Sequence, residues 1–222
     1  NTNPMPAHAP QPIIILGGGG QGKTLIDLLR LLDTYTIAGI VDEGLPKGAQ
    51  VMGVPVLGGN ARLPDLRAQG IALALNAVGG IGNVDIRIRV FDLLKAAGFA
   101  FPTLVHPSAC VEHSAELEDG VQIGALTYIG SLARVGFGAL INSHVCVSHD
   151  CRIGQVVNLS PGALLAGGVQ VEDYAQIGMG ATININLTVG SRARIGNGAT
   201  VKASVPAGGR VYAGSIWPPR AL

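Results

Sequence analysis

The sequence is poor in aromatic and charged residues and has almost no net charge. Aromatic side chains make up 4% of the 222 residues and charged side chains 13%, and the formal net charge is +1. Without a basic stripe the chain lacks the electrostatic footprint of a nucleic-acid-binding protein, so we expect no nucleic-acid partner. With so few rings, Val, Ile, Leu and Ala must fill the interior, which favours many narrow layers over one thick core.

A good candidate for a membrane-spanning helix is also missing. The mean hydropathy is +0.41, and residues 153–171 carry no charge. That run nevertheless contains Gln155, Asn158, Pro161 and several glycines, so it is a poor spanning helix and we expect no membrane insertion.

Cysteine is scarce as well. Cys110, Cys146 and Cys151 are odd in number and have no CxxC spacing, which favours reduced thiols in a cytoplasmic protein. The proline-rich start has no secretory character, and we expect residues 1–11 to be a disordered or vector-derived tail outside the fold.

Glycine, in contrast, is abundant, and an apolar residue recurs every six positions. The 33 glycines are about twice the usual share. The period holds over 17 positions without a slip: Val105, Val111, Leu117, Ile123, Ile129, Val135, Ile141, Val147, Ile153, Leu159, Leu165, Val171, Ile177, Ile183, Val189, Ile195 and Val201.

Four residues after each of these positions lies a residue that is usually smaller, such as Ala133, Ala139 or Cys151. This pattern is the signature of a hexapeptide β-helix, with three hexads in each coil. An α-helix does not explain it, because six is not a multiple of 3.6. The segment resembles the left-handed parallel β-helix of hexapeptide-repeat acyltransferases, and this resemblance implies a homotrimer with active sites between neighbouring chains.

Residues 13–100 follow a different pattern, in which strands and helices alternate. We predict strands over 13–16, 36–43 and 71–78 and helices over 23–32, 63–70 and 84–98. This alternation indicates a small parallel sheet of Rossmann type. We therefore expect a Rossmann-like nucleotide-sugar-binding domain over 12–102, a β-helix acyltransferase domain over 103–206 and a C-terminal tail over 207–222.

The loop GGGGQGK over 17–23 satisfies two patterns that cannot both apply. Gly17, Gly19 and Gly22 fit the dinucleotide pattern GxGxxG, with Asp42 twenty residues after Gly22, whereas residues 17–24 fit the Walker A loop of ATPases. Both patterns imply a phosphate, because glycines let the backbone approach it and the following helix offers free N–H groups. A tight turn without a ligand is the alternative.

Four segments together carry a more specific resemblance: GGGGQGK, the strand end IVDE, VHPSA at 105–109 and INSHVCVSHDCRIG at 141–154. From about residue 12 to 214 the chain is similar to the sialic-acid-type O-acetyltransferases and the bacterial N-acetyltransferases of UDP- or GDP-linked 4-amino-4,6-dideoxy sugars. The resemblance implies an acetyl-CoA-dependent enzyme that needs no metal.

The resemblance also implies roles for individual residues. His149 matches the catalytic base, Asp150 its acidic neighbour, and Gly167 a glycine whose N–H faces the thioester carbonyl. On the nucleotide-sugar side it implies Gly17, Gly19, Gln21, Gly22 and Asp42, to which we add His144 and Asn158. The acetyl-CoA arm is expected along Gly167, Gly178 and Ala181.

Two positions depart from the family. Gln21 and Asn158 stand where the family commonly has histidines, and neither side chain can carry a proton at neutral pH. The end VYAGSIWPPR also departs from the usual Gly-x-Pro-Ala, with Trp217 in its place. These differences bear on the identity of the substrate more than on the chemistry.

The chemistry of acetyl transfer suits the pair at 149–150. The attacking amine must lose a proton, and an imidazole, with its pKa near 6.5, can accept it while a carboxylate orients the ring. His149 lies two residues past Val147, which predicts an outer corner, and His144 competes for the role of base. His113 lies two coils before His149, about 10 Å away, too far for both to bind one metal ion within a chain.

Four alternatives remain open from the sequence alone. They are an O-acetyltransferase acting on a sialic-acid-like sugar, a metal hydrase of the gamma carbonic anhydrase type, a non-catalytic nucleotide-binding scaffold, and the ATPase that the Walker pattern suggests. The leading hypothesis is N-acetylation of a nucleotide-linked 4-amino sugar.

Overall fold

The computed structural model describes residues 9–79, 82 and 84–219. Most of the N-terminal tail predicted over 1–11, residues 1–8, and the last three residues of the tail predicted over 207–222 lie outside the described residues. The described residues form two compact units, one comprising 9–79 and 89–101 and the other 82, 84–88 and 102–219. Within the described ranges, no helix combines the length and the apolar character that a membrane span needs.

The first unit is an α/β layer built on a five-stranded sheet in the order β3-β4-β2-β1-β5, parallel except for the β3–β4 pair. Its strands are β1 Gln11–Leu16, β2 Tyr35–Val41, β3 Gln50–Val51, β4 Val54–Gly58 and β5 Leu73–Asn76. Its helices are α1 Gly20–Leu32, α2 Leu63–Ala68, which follows a 3₁₀ turn over Asn60–Arg62, and α3 Val84–Ala96, whose first residues belong to the second unit.

Helix α1 begins three residues earlier than the sequence suggests. Glycine is a poor helix former, which favours a loop up to Lys23. The N–H of Lys23 donates to the carbonyl of Gly19 at 3.1 Å, so the helix already includes Gly20. A side chain at Gly22 would overlap the carbonyl oxygen of Gly17, so the close approach of helix to loop requires glycine there.

The second unit is a parallel β-helix of two-residue strands, and the hexads predict its interior. The strands are β6 Leu104–Val105, β7 Cys110–Val111, β8 Glu116–Leu117, β9 Gln122–Ile123, β10 Tyr128–Ile129, β11 Arg134–Val135, β12 Leu140–Ile141, β13 Cys146–Val147, β14 Arg152–Ile153, β15 Asn158–Leu159, β16 Leu164–Leu165, β17 Gln170–Val171, β18 Gln176–Ile177, β19 Thr182–Ile183, β20 Thr188–Val189, β21 Arg194–Ile195, β22 Thr200–Val201, β23 Arg210–Val211 and β24 Ile216–Trp217. Strands β23 and β24 lie within 207–222, where the sequence suggests a tail. The hexad count is broken there, but Trp217 still pairs with Val201 and packs against the core.

Three parallel sheets make the β-helix a triangular prism, and its three faces differ in chemistry. The charged face is β8, β11, β14, β17 and β20, with Glu116, Arg134 and Arg152 pointing outward. The apolar face is β7, β10, β13, β16, β19, β22 and β24. Its outward residues carry no charge: Cys110, Tyr128, Cys146, Leu164, Thr182, Thr200 and Ile216.

The covered face is β6, β9, β12, β15, β18, β21 and β23, and its central outward residues are buried. Gly82 and residues 84–88 pack here as part of the second unit. The N–H of Gly82 donates to Gln176, and the Arg87 guanidinium donates to the carbonyl of Gly138 at 2.8 Å. Burial lowers the pKa of Arg87 to about 10. The contact with Gly82 helps explain why the polar strand residue Gln176 is only 3% exposed.

Candidate active site

His149 and Asp150 form a hydrogen-bonded pair on the edge between the apolar and the charged face. The His149 Nδ1 and the Asp150 Oδ2 are 2.7 Å apart, and the two side chains are 64% and 55% exposed. The turn that carries them is fixed by both neighbouring coils, because Asp150 N donates to Ser131 O and Gly168 N donates to His149 O. Asp150 adopts φ 59°, a left-handed conformation that Asp tolerates better than most residues.

This geometry assigns the two ring nitrogens of a neutral His149. Asp150 accepts a hydrogen bond from Nδ1–H, which leaves the lone pair on Nε2. The pair can therefore take a proton at Nε2 while the carboxylate steadies the ring.

Gly167 lies one coil beyond His149 and beside its imidazole. The Gly167 carbonyl accepts from Asn186 N, whereas the Gly167 N–H has no hydrogen-bond acceptor in the part of the chain that the structure describes. The structure therefore brings together three of the predicted residues: an imidazole, a carboxylate and a backbone donor without an acceptor.

Other predicted residues lie on the opposite edge of the apolar face. His144 is in the turn between β12 and β13, and Gly178 and Ala181 bound the turn between β18 and β19. The side chain of Ala181 is fully buried inside the prism, so only the backbone there can face a ligand. A single chain does not bring these residues to His149.

Asn158 is on the third side, in β15 of the covered face, and is 3% exposed. Its Nδ2 donates to Ser160 Oγ at 3.1 Å, and its Oδ1 accepts a longer bond of 3.5 Å from Asn142. Its side chain is thus enclosed within its own chain, and the structure does not place Asn158 beside His149.

In the first unit, Asp42 organises the glycine loop. Its Oδ2 accepts from Gly18 N at 2.8 Å, and its Oδ1 accepts from Gly44 N at 2.8 Å and from Leu45 N at 3.1 Å. Three backbone donors therefore meet on one carboxylate. Gly18 and Gly44 are not among the residues predicted from the sequence, although Asp-x-Gly after a strand is a known turn signal.

The remaining predicted residues of this loop lie around the start of α1. Gly17 directly follows β1 and has φ 113°, a conformation that favours glycine, and Gly19 precedes α1 in open space. Gln21 is in the first turn of α1 and packs against Gly79. The loop, the helix start and Asp42 thus form one substructure.

Among the residues that the structure describes, no three His, Cys, Asp or Glu side chains are grouped closely enough to hold a metal ion.

Cys151 follows the pair directly but points into the prism. It is fully buried, its Sγ donates to Ala166 O at 3.2 Å, and burial raises the pKa of the thiol. We expect iodoacetamide to leave Cys151 unmodified in the native protein and to alkylate it once the chain unfolds. Mass spectrometry of the labelled peptides measures this, and rapid native labelling of Cys151 would contradict the closed interior.

Comparison with known proteins places the chain in a family. Residues 12–94 match the PglD N-terminal domain family. The chain is 34% identical over 175 residues to a GDP-perosamine N-acetyltransferase of Escherichia coli O157:H7, with 76% of each chain covered.

Solved structures agree over nearly the whole chain. Perosamine N-acetyltransferase from Caulobacter crescentus, solved as a His-to-Asn variant with CoA and GDP-perosamine, superimposes with a TM-score of 0.85 at 35% identity, covering 90% of this chain and 93% of that one. The acetyltransferase domain of PglB from Neisseria gonorrhoeae FA1090, in complex with acetyl coenzyme A, superimposes with a TM-score of 0.83 at 31% identity. The match covers 93% of this chain and 98% of that one. The predicted fold class, a Rossmann-like α/β domain followed by a left-handed parallel β-helix, is confirmed. The chain therefore belongs to the family of acetyl-CoA-dependent, hexapeptide-repeat sugar acetyltransferases that includes the GDP-perosamine N-acetyltransferases.

Proposed function

We propose that the protein transfers an acetyl group from acetyl-CoA to the 4-amino group of a nucleotide-linked 4-amino-4,6-dideoxy sugar. The observation that carries the proposal is the 2.7 Å contact between His149 Nδ1 and Asp150 Oδ2, which leaves Nε2 free as a base. Two of the relatives described above are named for perosamine, and one holds GDP-perosamine. A GDP-linked sugar is therefore the acceptor to test first, and its UDP-linked counterpart the second.

The residues around His149 fit an acetyl thioester. The free N–H of Gly167 is the kind of donor that an acyl oxygen needs, and no side chain of that residue occupies the space next to the ring. Acetyl-CoA supplies the acyl group as a thioester, with CoA thiolate as the leaving group. The Gly167 N–H would donate to the acyl oxygen, on which negative charge develops during the reaction.

His149 performs the proton transfer. Its Nε2 accepts the proton that the amine loses on attacking the acyl carbon, and the resulting imidazolium keeps its hydrogen bond to Asp150. After the C–N bond forms and the C–S bond breaks, the protonated ring is the nearest acid that can return the proton to the thiolate or to solvent.

We propose that the active protein is a homotrimer that buries the apolar face. Leu164 and Ile216 on this face are 47% and 44% exposed, and Leu132 and Ile185 beside it are 61% and 59% exposed in the single chain. An uncharged face with this much exposed apolar surface is typical of an interface. The apolar face separates the edge that carries His149 from the edge that carries His144 and Gly178. In the trimer, a second copy would place its His144 and Gly178 edge beside His149, where the same edge of its own chain does not reach.

We propose that the nucleotide sugar is bound through the glycine loop that Asp42 holds. Asp42→Asn places an amide N–H₂ group among three N–H donors, so at least one of the three bonds is lost. We expect KM for the nucleotide sugar to rise about tenfold, the effect of losing roughly 1.4 kcal/mol of binding, with kcat changed far less.

Glu43→Gln is the matched control for Asp42→Asn. Glu43 is the next residue, and its Oε1 accepts a bond from Asn60 N that a Gln carbonyl can keep. Steady-state kinetics of both variants measure the effect. Equal KM values for the two variants would argue against a role of Asp42 in binding.

The proposed activity is tested by incubating the protein with acetyl-CoA and a panel of GDP- and UDP-linked sugars and measuring free thiol. The panel contains 4-amino sugars, their 4-hydroxy counterparts and a sialic acid. Thiol release only with amino sugars supports the proposal, and release only with hydroxyl acceptors assigns an O-acetyltransferase. No release above background with any acceptor removes the catalytic proposal and favours a nucleotide-binding scaffold.

A further inference from the structure

Residues two past each apolar hexad position on the His149 edge stack on one another along the prism. The column is His113, Ser131, His149, Gly167 and Ile185, with one residue from each successive coil and about 4.8 Å between neighbours. Of these five positions, only the one that follows His149 lacks a side chain.

Backbone conformation does not explain this glycine. The φ of Gly167 lies outside the left-handed region, unlike that of Gly168 at 68°. Four other residues occupy the same turn position with side chains, so the turn itself accepts a Cβ. The reason for glycine must lie in the surroundings of this one position.

The surroundings of Gly167 are dominated by the imidazole of His149. A Cβ added to Gly167 would lie 2.6 Å from Cε1 and 2.6 Å from Nε2 of that ring. These distances are well below van der Waals contact, so the imidazole occupies the space that a side chain at position 167 would need. On its other side the same ring is tied to Asp150 through Nδ1.

We propose that Gly167 is a positioning residue for His149, through the absence of its side chain and in addition to any use of its N–H. The bare Cα lets the ring lie against the next coil in the one orientation that satisfies Asp150 and directs Nε2 to the acceptor. The inference rests on the proposed function only in taking Nε2 as the base, since the contact itself is independent of the reaction.

Gly167→Ala separates the two roles of this residue. The variant keeps the N–H donor and a permitted φ, and it adds only the methyl group that meets the ring. To restore normal contact, the ring must turn or retreat by most of an ångström, which moves Nδ1 away from Asp150 and displaces Nε2. A misplacement of about 1 Å at a reacting group costs on the order of 100-fold in rate.

The experiment compares wild type, Gly167→Ala, His149→Ala and the double variant. We expect Gly167→Ala to lower kcat by about 100-fold with KM for acetyl-CoA changed less than about threefold, and to cause little further loss in the His149→Ala background. Nitrogen NMR of the imidazole gives a readout without turnover: wild type should hold the proton on Nδ1, whereas Gly167→Ala should show a mixture of both tautomers. The dissociation constant of CoA, measured by calorimetry, should be the same for His149→Ala and the double variant.

Two outcomes would overturn the inference. One is a Gly167→Ala protein with wild-type kcat and an unchanged tautomer. The other is CoA binding that the methyl group weakens equally with and without the His149 ring, because the methyl would then collide with the substrate itself. A tautomer change in an enzyme whose activity does not depend on His149 would keep the positioning role and remove the catalytic one.

Discussion

Replacing His149 by Ala should lower kcat by roughly 100-fold to 10,000-fold, the range that a general base contributes. The amine must still lose its proton, and without Nε2 only water is available to take it. Because the side chain is 64% exposed and its backbone bonds do not depend on the ring, folding and assembly should be unchanged. The thiol-release assay measures the loss, and calorimetry with CoA verifies that binding is retained.

His113→Ala is the matched control for this variant. His113 occupies the same turn position two coils earlier, on the same edge of the prism, and it has no role in the proposed chemistry. We expect its kcat to stay within about twofold of wild type, as for a surface substitution away from the site. Equal losses of kcat in the two variants would mean that removing any side chain from this edge of the prism lowers activity, and would argue against proton transfer by His149.

Leu164→Arg should dissociate the trimer and abolish most activity. Leu164 is the outward residue of β16, at the middle of the apolar face and 47% exposed in the single chain. In a trimer each copy would bury an unpaired guanidinium, a cost of several kcal/mol for each charge. Light scattering should report the mass of one chain in place of three, and turnover should fall by at least about 100-fold, because a general base without a completed site loses most of its effect.

Gln170→Arg is the control for the charge itself. Gln170 is the outward residue of β17, the next strand along the chain, but it lies on the charged face. The same substitution there should leave both mass and activity unchanged. A Leu164→Arg protein that keeps the mass of three chains would show that the apolar face is not the interface.

The hexad pattern predicts the prism because only the first and fifth positions of each hexad point into its narrow interior. A residue at the first or the fifth position must fit inside a narrow coil, so Val147 and Cys151 are buried and His149 between them is turned outward. The same six-residue count also predicts which turn residues share an edge. Residues 18 positions apart stack, so His149 and Gly167 share one edge, whereas His144 lies on another.

What the sequence could not show depends on contacts between distant segments. Asn158 occupies an outward position, yet it is buried, on a face that Gly82 and Arg87 contact in other coils. The start of α1 at Gly20 depends on the fit of Gly22 against Gly17, which overrides the low helix propensity of glycine. The short strands β3 and β4 were missed because two to five residues give too little periodicity to detect.

The most direct test of the central claim is the structure of the product. Mass spectrometry and NMR of a GDP-linked 4-amino-4,6-dideoxy sugar after incubation with the protein and acetyl-CoA should show one added acetyl group and a new amide proton on the nitrogen at C4. An unchanged sugar across both nucleotide series, or an acetyl ester in place of the amide, would contradict the account.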